Sequence, residues 1–161
     1  MIHPQALIKT FGYNAELVNK QLKGMTHSES LFKLPFEANC LNWVLGHIIS
    51  SRTMALQKVG QEPVWSTEER TSYRFGSSNW GDDGPNVFRL EKLLLDFNLS
   101  QERLLAGLNN MTYEDMCQPS GYGSNTQGDS LGYFQFHEAQ HVGQIIYLAK
   151  MAGKEEVWIS S

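Results

Sequence analysis

The chain has 161 residues, 41% hydrophobic and 19% charged, which fits one domain with a full core and argues against both a disordered chain and a membrane-embedded one. Thirteen Lys+Arg against seventeen Asp+Glu give a net charge of −4, the wrong sign for gripping a phosphate backbone, so nucleic acid is excluded as a partner. The longest apolar stretch, Trp43 to Ile49, is broken by Gly46 and His47 and is too short to span a bilayer, which excludes a membrane partner. Two cysteines, Cys40 and Cys117, make no disulfide framework, and the first residues lack the pattern of a secretory leader; a cytoplasmic setting is the expectation.

Four segments carry a helical period. In the first, from about Pro4 to Met25, Ile8, Phe11, Ala15, Val18 and Leu22 recur at steps of three and four, and Pro4 suits a first helical turn. The second, about Asn39 to Val59, has Leu41, Val44, Ile48 and Ala55 as its stripe, with Gly60 as its stop. The third runs in one register from Val87 to Met111, straight through the turn-like Asn98-Leu99-Ser100, and Pro85-Asn86 open it. The fourth, about Ser130 to Ala152, carries Leu131, Phe134, Ile145 and Leu148 and stops at Gly153.

No segment alternates with period two over strand length, so the expectation is an all-α, four-helix bundle formed by residues 1–161 as a single domain. Two long connections, Gln61 to Pro85 and Thr112 to Asp129, contain aromatic residues, among them Trp65, Tyr73, Trp80, Tyr113 and Tyr122. Both are longer than ordinary loops and are expected to be ordered and to cover one end of the bundle. Ser66 with Glu69 has the spacing of a cap for a short helical turn.

The histidines carry the chemical signal. His3 and His27 lie in polar surroundings and read as solvated. His137 and His141, four apart, stack one turn above the other on the fourth helix, between Phe134 and Ile145. His47 sits beside Val44 and Ile48 on the buried side of the second helix. A lone His on an apolar face is more often a core residue with a hydrogen bond. Three imidazoles pointing inward from two helices cost desolvation that a metal ion offsets, and they point to a metal site.

The stretch Phe136-His137-Glu138-Ala139-Gln140-His141-Val142-Gly143-Gln144-Ile145, together with Leu41-Asn42-Trp43-Val44-Leu45-Gly46-His47-Ile48, resembles the DinB-like (DinB/YfiT-like) superfamily of metal-dependent enzymes. The resemblance implies a four-helix bundle, often a homodimer, that binds a divalent metal (Zn, Ni, Fe or Mn) through His47, His137 and His141. It also implies thiol-dependent transfer or isomerisation with a low-molecular-weight thiol; a three-nitrogen site with open positions, able to activate a thiol or a water, makes transfer or hydrolysis on a small-molecule substrate the expectation. Val142 stands where the family pattern often has Arg. The alternative within the resemblance is a bundle that binds a metal or small molecule without catalysis.

His137-Glu138-Ala139-Gln140-His141 also satisfies the H-E-x-x-H pattern of zinc peptidases, in which the Glu is the general base. That reading lacks a third ligand downstream and a strand to hold a peptide. Glu138 is retained as a candidate catalytic residue. Cys40 is excluded as a fourth ligand, because seven helical residues separate it from His47, about 10.5 Å of rise against a Zn–S bond of about 2.3 Å. Arg52, one turn beyond His47, and Arg70 and Arg74, in the first connection beside Trp65, Tyr73 and Trp80, are the candidate substrate-binding residues for a small anion.

Overall fold

A computed structural model describes residues 2–157, apart from 122 and 124. Among the described residues there are six α-helices and no strand: α1 (Pro4–Gln21), α2 (His27–Ser30), α3 (Leu41–Lys58), α4 (Leu90–Asn109), α5 (Tyr113–Cys117) and α6 (Gln127–Met151). Tyr122, one of the aromatics of the second connection, lies outside the described residues.

The ends of these helices follow from local chemistry. Pro4 opens α1, and the exposed His3 accepts a hydrogen bond from the Gln5 N–H, so His3 is a cap. Thr26 with Glu29, Thr112 with Asp115 and Thr126 with Asp129 form reciprocal capping boxes at the starts of α2, α5 and α6. Gly60 and Gly153, with φ of +70° and +85°, follow α3 and α6 in the left-handed conformation that ends a helix cheaply only at glycine.

Three boundaries differ from the sequence reading: α1 stops at Gln21 rather than near Met25, α4 begins at Leu90 rather than at Val87, and α6 begins at Gln127 rather than near Ser130. The second shift has a cause that lies 63 residues away: the Leu90 N–H donates to Nδ1 of His27 at 3.2 Å, so a distant side chain caps α4. His27 is therefore not solvated. It is buried, and its Nε2 faces Asp83 at 3.4 Å.

Helix α6 packs between α1 and α3, and α4 packs between the same two helices. Two apolar clusters fill the interior. One includes Val18, Leu45, Ile48, Phe97 and Ile145; the other includes Phe11, Leu56, Leu104, Met116 and Leu131. Between them in sequence on each long helix lies a buried polar residue: Asn14 on α1, Arg52 on α3, Ser100 and Gln101 on α4, Glu138 on α6. Arg52 binds Glu138 through Nε–Oε2 at 2.7 Å and Nη2–Oε1 at 2.8 Å. Its remaining N–H groups donate to the Phe97 carbonyl, Ser100 Oγ and Gln101 Oε1, and Asn14 Nδ2 donates to Glu138 Oε1. One guanidinium thus ties α3, α4 and α6 together.

The two connections do different things, where the sequence reading placed both over one end. The second, with α5, packs Met116 among residues near the start of α1 and the ends of α3 and α4, and so closes that end. The first lies along α3 as a strap. Arg70 reaches Ser50, the Tyr73 carbonyl meets His47, Ser77 accepts from the Trp43 indole, and the Asn79 carbonyl accepts from the Cys40 N–H. The strap is ordered because its aromatics are core: Trp65 and Tyr73 are buried in the first cluster. Its helical turn, Glu69–Ser72, is capped by Ser66 and Glu69 as their spacing requires.

Candidate metal centre

Helices α3 and α6 bring His47, His137 and His141 together, and one nitrogen from each lies within 4.8 Å of the others. The chain is built to aim those nitrogens. His47 is buried and stacks flat on Trp43, with ring centroids 4.7 Å apart and planes 9° from parallel. Its Nδ1 lies 2.7 Å from the Tyr73 carbonyl oxygen, which only accepts, so Nδ1 carries the proton and Nε2 the lone pair. On α6, His141 Nδ1 lies 2.7 Å from Gln144 Oε1, an arrangement in which Nδ1 donates and Nε2 keeps the lone pair. The Nε2 atoms of His137 and His141 face one another at 3.2 Å.

At that distance one imidazole N–H donates to the other nitrogen, or two lone pairs share a cation. Nitrogens sharing a tetrahedral metal at about 2.0–2.1 Å stand roughly 3.3 Å apart, so the separation suits a bound ion. The electrostatics agree. His137 is pushed down to about 4 by burial first and then by the neighbouring His141 and His47. His47 is lowered as well, chiefly by burial. Both are neutral at pH 7, which is the protonation state a metal ligand needs.

His137 and His141 are half-buried rather than part of the buried stripe of α6, which runs through Leu131, Glu138, Val142 and Ile145. They stand at its edge and open onto solvent-accessible space. Glu138 lies on the buried side, with both oxygens engaged by Arg52 and Asn14. The peptidase reading therefore has no free base above the histidines. Arg52, expected at the substrate, is 2% exposed and neutralises Glu138 instead. The i, i+4 arithmetic that placed two histidines on one face did not show that the residue between them faces the core.

Arg70 and Arg74 do reach the site: they line a cavity of about 370 Å³ with His47, His137, Ser50 and Phe75. The aromatic residues that line it with them are Phe75, Tyr133 and Phe134, whereas Trp65 and Tyr73 are core and Trp80 lines a separate hollow with Trp43. Cys40 takes no part; it is the buried residue before α3, and burial pushes its thiol up. Four residues that matter to the histidines were not among the candidates: Trp43, Gly46, Tyr73 and Gln144. Gln144, three residues after His141, and Trp43, four before His47, left a signal in sequence by sharing a helical face with a histidine.

Six helices around a site of three convergent imidazoles define an all-helical protein able to hold a metal ion. The model of the DinB superfamily matches residues 13–145, and the chain belongs to that superfamily. Among solved structures it is similar to the crystal structure of the conserved protein of locus from Enterococcus faecalis. The two share 15% identity, with 94% of this chain and 98% of that chain covered and a TM-score of 0.69, a likeness of fold. No curated protein matches the chain. No helix among the described residues is long and apolar enough to cross a membrane.

Proposed function

We propose that the protein is a metal-dependent enzyme acting on a small molecule, by thiol-dependent transfer or by hydrolysis, with His47, His137 and His141 holding one divalent ion. The observation that carries the reading is the convergence of three imidazoles, one nitrogen of each within 4.8 Å of the others, with the Nδ1 atoms of His47 and His141 engaged by the Tyr73 carbonyl and Gln144 Oε1. Three nitrogen ligands leave coordination positions open, as catalytic sites do and structural sites do not. Bound there, a divalent metal supplies a Lewis acid that makes a nucleophile available at neutral pH.

The chain's own residues supply the rest. Tyr73 and Gln144 hold two imidazoles in place, Trp43 shields one face of His47, and Arg70 and Arg74 offer positive charge beside the site. Glu138 and Arg52 position α6 against α3 and do not touch the reacting groups. The exposed Tyr133, Phe136 and Tyr147 on α6 offer an apolar surface to a second copy of the chain, and sedimentation at several concentrations tests for a homodimer.

Cobalt-loaded protein titrated with cysteine and with glutathione tests the transfer reading. A new sulfur-to-cobalt absorption band that saturates with thiol supports it. An unchanged spectrum with both thiols leaves hydrolysis as the reading, and failure to bind cobalt at all overturns the metal-dependent function.

A further inference from the structure

The three histidines border two largely apolar cavities that differ in charge: one carries two arginines beside Met54, Tyr133 and Phe134, the other no charged side chain. His47, His137 and Phe75 line both. The larger, about 800 Å³, runs past Leu34, Val44, Tyr147, Leu148 and Met151 and has no Lys, Arg, Asp or Glu in its lining. The smaller, about 370 Å³, contains Arg70 and Arg74 and no carboxylate.

Arg70 is the informative side chain. It is half-buried, its Nε lies 3.4 Å from Ser50 Oγ, and neither it nor Arg74 forms an ion pair among the described residues. Burial lowers its proton affinity, so the guanidinium carries a desolvation cost that no carboxylate among the described residues offsets. An anion in the small cavity would offset it. A small anion alone, however, would leave the larger apolar cavity to water.

We infer that the cleft takes an amphipathic anion, with its acidic head beside Arg70 and Arg74, its apolar body along Val44, Leu148 and Met151, and the bond between them at the histidines. The inference rests on the metal-dependent reading for the last element only; the two cavities select head and body without it. It also explains why Phe75, 93% exposed, is kept in a strap whose other aromatics are mostly covered: its ring borders both cavities.

The test is a calorimetric titration of zinc-treated protein with straight-chain carboxylates from butanoate to decanoate and with 1-octanol, reading zinc stoichiometry in the same samples. Each added methylene is expected to tighten binding about three- to fourfold while the chain remains in the larger cavity. Octanoate should bind well above 1-octanol, and Arg70→Gln should weaken octanoate about tenfold. Met151→Glu, at a half-exposed position that leaves the core intact, should abolish the dependence on chain length. Stoichiometric zinc with no chain-length dependence, or with octanoate indifferent to Arg70→Gln, overturns the cleft assignment alone. Chain-length dependence without bound zinc overturns the metal reading and leaves the cleft assignment standing.

Discussion

Tyr73 lies over Gly46 so closely that a methyl group at position 46 would overlap its ring. The contact matters because the backbone of Tyr73 holds His47, one residue along the helix. The Tyr73 hydroxyl anchors the strap in turn, donating to Asn42 Oδ1 at 3.1 Å and accepting from the Phe88 N–H at 2.7 Å. Burial pushes that phenol up to about 12, so it stays protonated and keeps both bonds.

Replacing Gly46 by Ala is therefore expected to displace the strap. Overpacking of this kind costs about 1–3 kcal/mol, and loss of an orienting partner lowers metal affinity about 10- to 100-fold. Urea melts and zinc titrations of Gly46→Ala read the two effects separately. Wild-type zinc affinity in a folded variant would show that the Tyr73 carbonyl does not orient His47.

Arg52 and Glu138 give a second prediction, because a structural pair and a catalytic base respond oppositely. Removing one partner leaves a buried charge, so Glu138→Leu or Arg52→Met alone should destabilise by about 3–5 kcal/mol. The double variant should recover much of that loss and keep its bound metal. A Glu138→Gln protein of unchanged stability but without catalysis would restore Glu138 as the base.

The helical class was legible because the stripes of Val18, Ile48, Phe97 and Ile145 follow a local period, and the cluster of three histidines was legible because two of them share one helix face. The function of the first connection was not legible. Its contacts with α3 (Arg70 to Ser50, Tyr73 to His47, Ser77 to Trp43) join residues 20 to 34 positions apart and have no periodic signature. The same blindness hid the Arg52–Glu138 pair, whose partners are 86 residues apart, and the capping of α4 by His27. The inward turn of Glu138 was hidden for a simpler reason: a motif names a residue without saying which way its helix turns it.

The metal-free protein should weaken in mild acid. In the fold, burial and the adjacent imidazoles lower His137 from the usual 6.5 to about 4, and His47 moves in the same direction. Between those two pH values the unfolded chain binds a proton that the folded chain refuses, so stability is full above about 6.5 and falls as pH drops toward about 4. Urea midpoints of chelator-treated protein from pH 7.5 to 4.5 should fall, and less steeply in His137→Asn. A midpoint that rises with acidification would contradict the assigned burial.

Metal analysis of untagged protein tests the central claim most directly. One divalent ion per chain is expected in the wild type after loading and dialysis, with large losses in His47→Ala, His137→Ala and His141→Ala taken singly. Loading should also raise the melting temperature, by about 2.7 kcal/mol of stability at a hundredfold excess over Kd. Full occupancy in His47→Ala would contradict the site shared between α3 and α6, and no bound metal in the wild type would reduce the three histidines to core residues.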